Sequence, residues 1–143
     1  MQTSTTRVVL AEDNESVRKG IKRLLNKATD ITVVGEANDG IEAMRLVEKL
    51  RPHLLVLDVE MPRLSGIEVA RRLNKSQSNT RILVLSAYDD DEYIQEMLAN
   101  GASGYLIKDE APQRILEAVR GVALGEVGWV SPQVKSRLKK RNN

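Results

Sequence analysis

Short apolar runs alternate along the chain with longer stretches in which apolar residues recur every three or four positions. Runs with little polar alternation are typical of strands in a parallel sheet that is covered on both faces. Each of these runs is therefore predicted to be a strand. Five of them occur, and they span residues 8–11, 31–37, 54–58, 81–87 and 104–109.

The stretches between the runs have the periodicity of amphipathic helices. The repeating residues are Val17, Ile21, Leu24, Leu25 and Ala28; Met44, Val47 and Leu50; Ile67, Ala70 and Leu73; Ile94, Met97 and Leu98; and Ile115, Ala118, Val119 and Val122. Gly101 suits the end of the fourth helix, and Pro112 suits the first turn of the fifth. Strands that alternate with helices in this way predict an α/β fold with a five-stranded parallel sheet and right-handed crossovers.

Asp58 ends the most apolar of the runs, "LLVLD". An unpaired charge beside such a run is costly unless the chain emerges there or a cation meets it. In open parallel sheets, ligands bind in the crevice at the carboxyl ends of the strands. The position of Asp58 therefore predicts that its carboxylate faces a binding crevice.

The other predicted strands also end in polar side chains. Glu12 and Asp13 follow the first strand, Ser86 ends the fourth, and Lys108 lies at the end of the fifth. Because these ends share one edge of a parallel sheet, three carboxylates, a hydroxyl and an ammonium group are expected to converge. Three uncompensated carboxylates would repel one another. Mg²⁺, which prefers oxygen ligands and binds through few carboxylates plus phosphate oxygens, would remove the conflict.

A carboxylate in such a site can act as a nucleophile and form an aspartyl phosphate. Phosphoryl transfer depends mostly on positioning and on neutralising the equatorial oxygens. Mg²⁺, Lys108 and the Ser86 hydroxyl would each take one of those oxygens. The predicted chemistry is therefore transfer of a phosphoryl group to Asp58.

Composition limits the other classes of chemistry. The 143 residues suit one domain with an aliphatic core, since Phe is absent and there is one Trp. Without Cys, disulfides, thiol catalysis and Cys-ligated zinc are excluded, and the single His53 cannot form a histidine metal cluster. The polar start suggests no signal peptide and no run is long enough to cross a membrane, so a cytoplasmic protein with no membrane partner is expected.

Charge is unevenly distributed. The last eleven residues hold five basic side chains and no acid, and without them 17 basic residues face 20 acidic ones. The net charge of +2 therefore comes from the C-terminal end. The predicted organisation is a disordered tail at residues 1–6, a domain at residues 7–123, and a basic linker or tail at residues 124–143.

Four motifs, in order and each at a strand end, resemble the receiver domain of two-component response regulators. They are the acidic pair Glu12–Asp13, "LDVEMPRLSG" around Asp58, "LSAY" at Ser86 and "GASGYLIKD" at Lys108. The resemblance covers roughly residues 7–123. It implies the flavodoxin-like (CheY-like) fold, with strand order 2-1-3-4-5 and five surrounding helices.

The resemblance also implies roles for single residues. Asp58 would be the phosphoacceptor, and Asp13 a direct ligand of Mg²⁺. Glu12, where aspartate is commoner, would act at the metal directly or through water. The backbone carbonyl of Glu60 would be a further ligand. Of the remaining positions, Ser86 and Lys108 would hold the phosphoryl group, and Tyr105 would be the switch residue that rotates inward when Ser86 moves.

"GASGYLIKD" followed by "GEVGWVSPQV" is similar to the NarL/FixJ-like (LuxR-type) subfamily. That likeness implies a sensor histidine kinase as phosphoryl donor, transcription regulation through a DNA-binding effector domain, and dimers formed through the first and fifth helices. The surface of the fourth helix and fifth strand, which lies nearer the switch residues, is the alternative, and the first and fifth helices are favoured. The chain ends at Asn143, within the expected linker, and no residues remain for a helix-turn-helix. An excised receiver and a natural stand-alone receiver both fit the sequence.

Two other classes of function share parts of this pattern. A phosphatase of the haloacid dehalogenase type also uses an Mg²⁺-bound aspartate, but it needs a second aspartate two residues on, where this chain has Glu60, and it places both on the first strand. A pseudo-receiver would lack the acceptor, a metal ligand or the lysine, and none is missing. At single positions, plain structural roles also fit: helix capping for Asp13 and Asp58, a strand-end hydroxyl for Ser86, and a half-buried strand aromatic for Tyr105.

Overall fold

A parallel sheet of six strands forms the centre of the fold in the computed structural model, which describes residues 5–141. The strands are β1 (Thr6–Ala11), β2 (Ile31–Ala37), β3 (Leu54–Leu57), β4 (Arg81–Ser86), β5 (Gly104–Ile107) and β6 (Trp129–Val130). Their order across the sheet is β2-β1-β3-β4-β5-β6, and every pair is parallel. The predicted α/β class and the order 2-1-3-4-5 are confirmed, and the predicted count of five strands is corrected to six.

Helices connect the strands and cover both faces of the sheet. They are α1 (Glu15–Asn26), α2 (Gly40–Leu50), α3 (Gly66–Lys75), α4 (Asp91–Ala99), α5 (Ala111–Ala123) and α6 (Pro132–Arg141), with a 3-10 turn at Lys108–Glu110. Side-chain caps fix the start of the first three, because Asn14, Asp39 and Ser65 each accept a hydrogen bond from a backbone N–H three residues on. Over residues 5–141, every helix falls short of the length and apolarity needed to cross a bilayer.

The apolar core has two layers, one on each face of the sheet. Alternate strand residues point to opposite faces, so Val9 and Leu55 belong to one layer and Leu10 and Val56 to the other. The first layer is completed by α2, α3 and α4, and the second by α1 and α5. The absence of alternation in the predicted strands is thereby explained, since both faces are buried.

Three strands end earlier than the apolar runs suggested, and β4 ends at Ser86, one residue before the end of its run. The strand β3 ends at Leu57, so Asp58 is the first residue beyond it, and β5 ends at Ile107, so Lys108 opens the 3-10 turn. At the N-terminus, Thr6 belongs to β1 rather than to the tail, because its N–H donates to the Asp30 carbonyl oxygen at 2.8 Å. The remainder of that predicted tail, apart from Thr5, lies outside the described residues, as do residues 142–143.

The segment expected to be a linker is folded onto the domain. Trp129 and Val130 of β6 pair with Gly104 and Tyr105 of β5, and α6 follows at once. A strand of two residues is too short to show a pattern of its own, which is why the sequence did not predict it. The predicted basic linker also includes residues 137 and 139–141, whose side chains lie outside those that the structure describes.

Candidate functional site

A cleft of about 600 Å³ opens at the carboxyl edge of the sheet. Its walls are the segments that follow β1, β3 and β4, together with Lys108 after β5. The hydrogen-bond ladder continues one residue past β1 and β3: the Glu12 N–H donates to Ala37 at 3.0 Å, and the Asp58 N–H donates to Ala11 at 3.2 Å. Both acids are thereby held at the edge by backbone bonds.

Three carboxylates meet in this cleft. One oxygen from each of Glu12, Asp13 and Asp58 lies within 4.8 Å of the others. Glu12 and Asp58 are buried, at 2% and 7% exposure, whereas Asp13 is open to solvent. The Glu12 carboxylate also accepts a hydrogen bond from the Asn14 N–H at 3.1 Å, and its backbone carbonyl accepts one from the Arg18 guanidinium at 2.8 Å.

Lys108 supplies a positive charge to the two buried acids. Its Nζ forms an ion pair with Glu12 and lies 3.3 Å from Oδ2 of Asp58. Burial acts to lower the pKa of Lys108, but its bonds to the two carboxylates outweigh burial and raise that pKa above its ordinary value. Lys108 therefore stays protonated between the two carboxylates.

The ionisation of Asp58 is strongly disturbed by its surroundings. Burial, followed by the nearby charge of Glu12, raises the pKa of Asp58 from 3.8 to about 6, although Lys108 and the Val59 N–H act in the opposite direction. One cation is thus too little to neutralise the carboxylates of this cleft. The donor set is made of hard oxygens with surplus negative charge, and it fits Mg²⁺.

The mouth of the cleft is bridged by a hydrogen bond. The Tyr88 hydroxyl donates to Oε2 of Glu60 at 2.9 Å, so the loop after β4 is joined to the loop after β3. This bond, with the added charge of Glu60, raises the pKa of Tyr88, which keeps the phenol protonated. The side chain of Glu60 thus has a definite partner, while the role of its backbone carbonyl as a metal ligand stays a prediction.

Ser86, unlike the three acids, lies behind the wall of the cleft. It is fully buried and does not line the cleft, where Ala87 and Tyr88 stand instead. Its Oγ accepts a hydrogen bond from the Tyr88 N–H at 3.0 Å. A phosphoryl-binding role for Ser86 therefore stays a prediction, and it requires the side chain to turn toward Asp58.

Tyr105 lies behind the same loop. Its side chain is fully buried, and its hydroxyl donates to the Tyr88 carbonyl oxygen at 2.8 Å. Burial raises the pKa of Tyr105 to about 12, so the phenol is a donor at neutral pH. Tyr105 thus already occupies the inward position that the sequence analysis assigned to the switched state, and its switching role stays a prediction.

Tyr88 is a residue of this site to which the sequence analysis gave no functional role. It bonds through its side chain to Glu60, through its N–H to Ser86, and through its carbonyl to Tyr105. The signal in the sequence was its place two residues after Ser86, in the loop that follows the fourth predicted strand. The pattern shows that placement, but the three bonds depend on the fold.

Comparison with known proteins agrees with this geometry. The profile of the response regulator receiver domain matches residues 8–120. Over 126 residues the chain is 41% identical to the transcriptional regulatory protein YxjL of Bacillus subtilis, covering 88% of this chain and 58% of that protein. It is 39% identical to the nitrate/nitrite response regulator NarL of Escherichia coli, covering 84% and 56%.

Among solved structures, a LuxR-family two-component response regulator from Aurantimonas superposes with a TM-score of 0.89 at 28% identity, covering 97% of this chain and 99% of that one. A parallel sheet with an acidic cleft at its carboxyl edge is the arrangement of receiver domains. The chain belongs to the response regulator receiver domain family, and its relatives are regulators of the NarL/LuxR type. It spans slightly more than half the length of the curated relatives it matches.

Proposed function

We propose that this chain is the phosphoaccepting receiver of a two-component signalling system. A sensor histidine kinase would supply the phosphoryl group, and Asp58 would receive it. The observation that carries the proposal is the position of Asp58: a buried carboxylate at a strand end, beside two further acids and 3.3 Å from Lys108. The domain would assist its own phosphorylation and dephosphorylation without being an enzyme that turns over an external substrate.

The residues divide the transfer step between them. An Oδ atom of Asp58 attacks phosphorus; the oxygen–phosphorus bond forms as the phosphorus–nitrogen bond of the donor phosphohistidine breaks, and the bonding electron pair returns to the imidazole. Lys108 exchanges its contact with Asp58 for a charge-assisted hydrogen bond to a phosphoryl oxygen. Ser86 turns from Tyr88 to donate to another oxygen.

Asp13, Asp58, Glu12 and the backbone carbonyl of Glu60 are the groups that would hold Mg²⁺. The ion would neutralise negative charge on the carboxylates and on the transferring phosphoryl group. Glu12 is already held by Lys108 and by the Asn14 N–H, which favours an indirect role at the metal for this residue.

The output is proposed to be control of transcription. The curated relatives are transcriptional regulatory proteins and are longer than this chain, so contact with DNA would need an effector domain beyond these residues. A phosphoryl group adds about −1.5 to −2 charges and three acceptor oxygens to the cleft. The loop bonded to Ser86 and Tyr105 is the element that this charge would bias.

Phosphorylation by a small donor tests the proposal. With acetyl phosphate and Mg²⁺, the intact mass of the protein should rise by one phosphoryl group, and chelation of the metal should prevent the gain. Asp58→Asn should gain nothing, whereas Asp30→Asn, an exposed acid outside the cleft, should behave as wild type. Equal labelling of Asp58→Asn would overturn the assignment, and sustained hydrolysis of phosphate esters would favour a phosphatase.

A further inference from the structure

The residues after α5 pack into a space that the domain leaves for them. Trp129 pairs with Gly104 through the β5–β6 ladder, and its backbone N–H donates to the Ser103 carbonyl oxygen at 3.1 Å. A Cβ at Gly104 would lie 2.6 Å from Trp129, and a Cβ at Gly121 of α5 would collide with the indole ring. Two glycines thus leave the space that Trp129 fills, so the contact is specific.

The helix α6 continues this contact on the other face of the sheet. Ser131 is buried, and its Oγ accepts a hydrogen bond from the Val134 N–H at 3.2 Å, which caps the helix. Val134 is 1% exposed and belongs to the same apolar cluster as Tyr105 and Ile94, with Leu138 packed against that cluster. The inner side of α6 is therefore part of the core that encloses Tyr105.

Tyr105 joins this core to the phosphoacceptor cleft. Its backbone pairs with Val130 of β6, and its hydroxyl donates to the Tyr88 carbonyl at 2.8 Å. Tyr88 in turn bonds to Ser86 beneath the cleft and to Glu60 at its mouth. A continuous series of contacts therefore links the cleft to β6 and α6.

We propose that β6 and α6 form a C-terminal sensor segment whose docking on the domain is coupled to the occupancy of the Asp58 site. This inference rests on the proposed phosphoaccepting role of Asp58. When Ser86 turns toward a phosphoryl group, its Oγ releases the Tyr88 N–H. The bond from the inward Tyr105 hydroxyl to the Tyr88 carbonyl must then hold the Tyr88 loop without Ser86. Because inward Tyr105 also packs in the core completed by Val134, the same arrangement favours the docked segment, and phosphorylation tightens it.

The coupling must act in both directions. If occupancy of the cleft stabilises the docked segment by some factor, undocking must weaken occupancy by the same factor. The full chain with Mg²⁺ and beryllofluoride, a phosphoryl mimic, tests both. Amide hydrogen exchange follows the segment, and a separate titration gives the affinity of the mimic.

Beryllofluoride is expected to slow exchange over residues 129–138 by about fivefold or more, the lower end of typical coupling. Val134→Asp should undock the segment and weaken beryllofluoride binding by the factor seen in exchange. Ser136→Asp, which adds the same charge on the exposed side of α6, should change neither quantity. Val134→Ala keeps an apolar side chain and should show a smaller loss of the same kind even if the aspartate variant folds poorly.

The outcomes separate this inference from the proposed function. If wild type binds the mimic while exchange over the segment changes less than twofold, the coupling is overturned and the role of Asp58 stands. If Val134→Ala loosens the segment without weakening the mimic, the coupling is overturned as well. Failure of wild type to bind the mimic would overturn the role of Asp58, and the coupling with it.

Discussion

Burial and the nearby charge of Glu12 oppose the ionisation of Asp58. The folded state therefore holds the Asp58 proton more tightly than the unfolded chain does. The folded pKa is about 6 and the reference value is 3.8. Stability from this group is fully present below the reference value, and it is lost as the pH rises through the folded value. At neutral pH the ionised carboxylate of Asp58 therefore lowers the stability of the folded state.

The first prediction concerns this cost. In the presence of chelator, urea unfolding should show Asp58→Asn gaining on wild type as the pH rises from 4 to 7, by at most about 3 kcal/mol at 1.36 kcal/mol per pKa unit. Lys108 keeps its partner Glu12 in the variant, so no cation is left unpaired. Asp30→Asn is the control, because its exposed ion pair with Arg120 lowers its pKa and reverses the sign. A free energy of unfolding of Asp58→Asn, relative to wild type, that stays constant or falls with rising pH would contradict the assignment of the cost.

Lys108 allows a second prediction. Lys108→Ala should leave two buried carboxylates without their cation, which lowers stability in chelator by roughly 3 kcal/mol, as expected when one partner of a buried pair is removed. Mg²⁺ should then raise the melting temperature of the variant more than that of wild type, because the ion takes over the neutralising role. Phosphorylation by acetyl phosphate should nevertheless slow.

The control for that experiment is Lys19→Ala, since Lys19 forms an exposed pair with Glu15 in α1. Exposed pairs contribute little. Equal gains from Mg²⁺ in Lys108→Ala and wild type, together with equal phosphorylation rates, would remove Lys108 from the mechanism.

At the scale of the elements, the first residue of α3, Gly66, contacts the backbone of Asp58 and Val59. The Gly66 N–H donates to the Val59 carbonyl oxygen at 2.8 Å, and a Cβ at Gly66 would collide with the Asp58 carbonyl and lie 2.9 Å from the Cα of Val59. The close approach of helix and loop holds the backbone of Asp58 in place. A side chain at position 66 must displace that backbone.

Gly66→Ala should therefore destabilise the domain by about 2 kcal/mol, in the range of overpacking substitutions, and slow phosphorylation of Asp58. Gly20→Ala in α1 is the matched control, because a Cβ at Gly20 meets open space. That change should stabilise the helix by about 0.5 to 1 kcal/mol and leave phosphorylation unchanged. Chemical denaturation and the rate of mass gain measure both effects, and a neutral Gly66→Ala would show that the loop does not need this approach.

Sequence reasoning was most reliable where the period of an element determines the result. Apolar runs without alternation indicated buried strands, and the shared edge of a parallel sheet brought Glu12, Asp13, Asp58 and Lys108 together. The orientation of Ser86 and the three bonds of Tyr88 depend on side-chain rotamers and on a loop without a period. The strand β6 was missed because two residues carry no pattern.

For the molecule as a whole, we expect self-association to use the surface formed by α1 and α5. An apolar groove of about 460 Å³ lies between them, with Leu24 and Pro112 in its walls and Arg23 and Lys27 among its cationic lining residues. On the other face of the sheet, the core beside α4 already includes Val134 of α6. A second copy would therefore find the α1–α5 surface open and the other partly occupied by the chain itself.

Beryllofluoride is accordingly expected to promote dimers through the α1–α5 surface, and Leu24→Asp should prevent them in sedimentation. Ile41→Asp, a similar change at an exposed position of α2, should not. Dimers should strengthen with added salt, because the groove cations of two copies approach one another. Mass distributions that stay identical with and without the mimic across a wide concentration range would contradict the prediction.

The central claim is that the phosphoryl group is carried by Asp58 and by no other acid of the cleft. Borohydride cleaves an acyl phosphate and reduces the phosphorylated aspartate to homoserine, so the site can be read by sequencing peptides of the treated protein with mass spectrometry. After incubation with acetyl phosphate and Mg²⁺, homoserine is expected at position 58 alone. Homoserine at position 13, or a phosphorylated protein that yields none at position 58, would contradict the account.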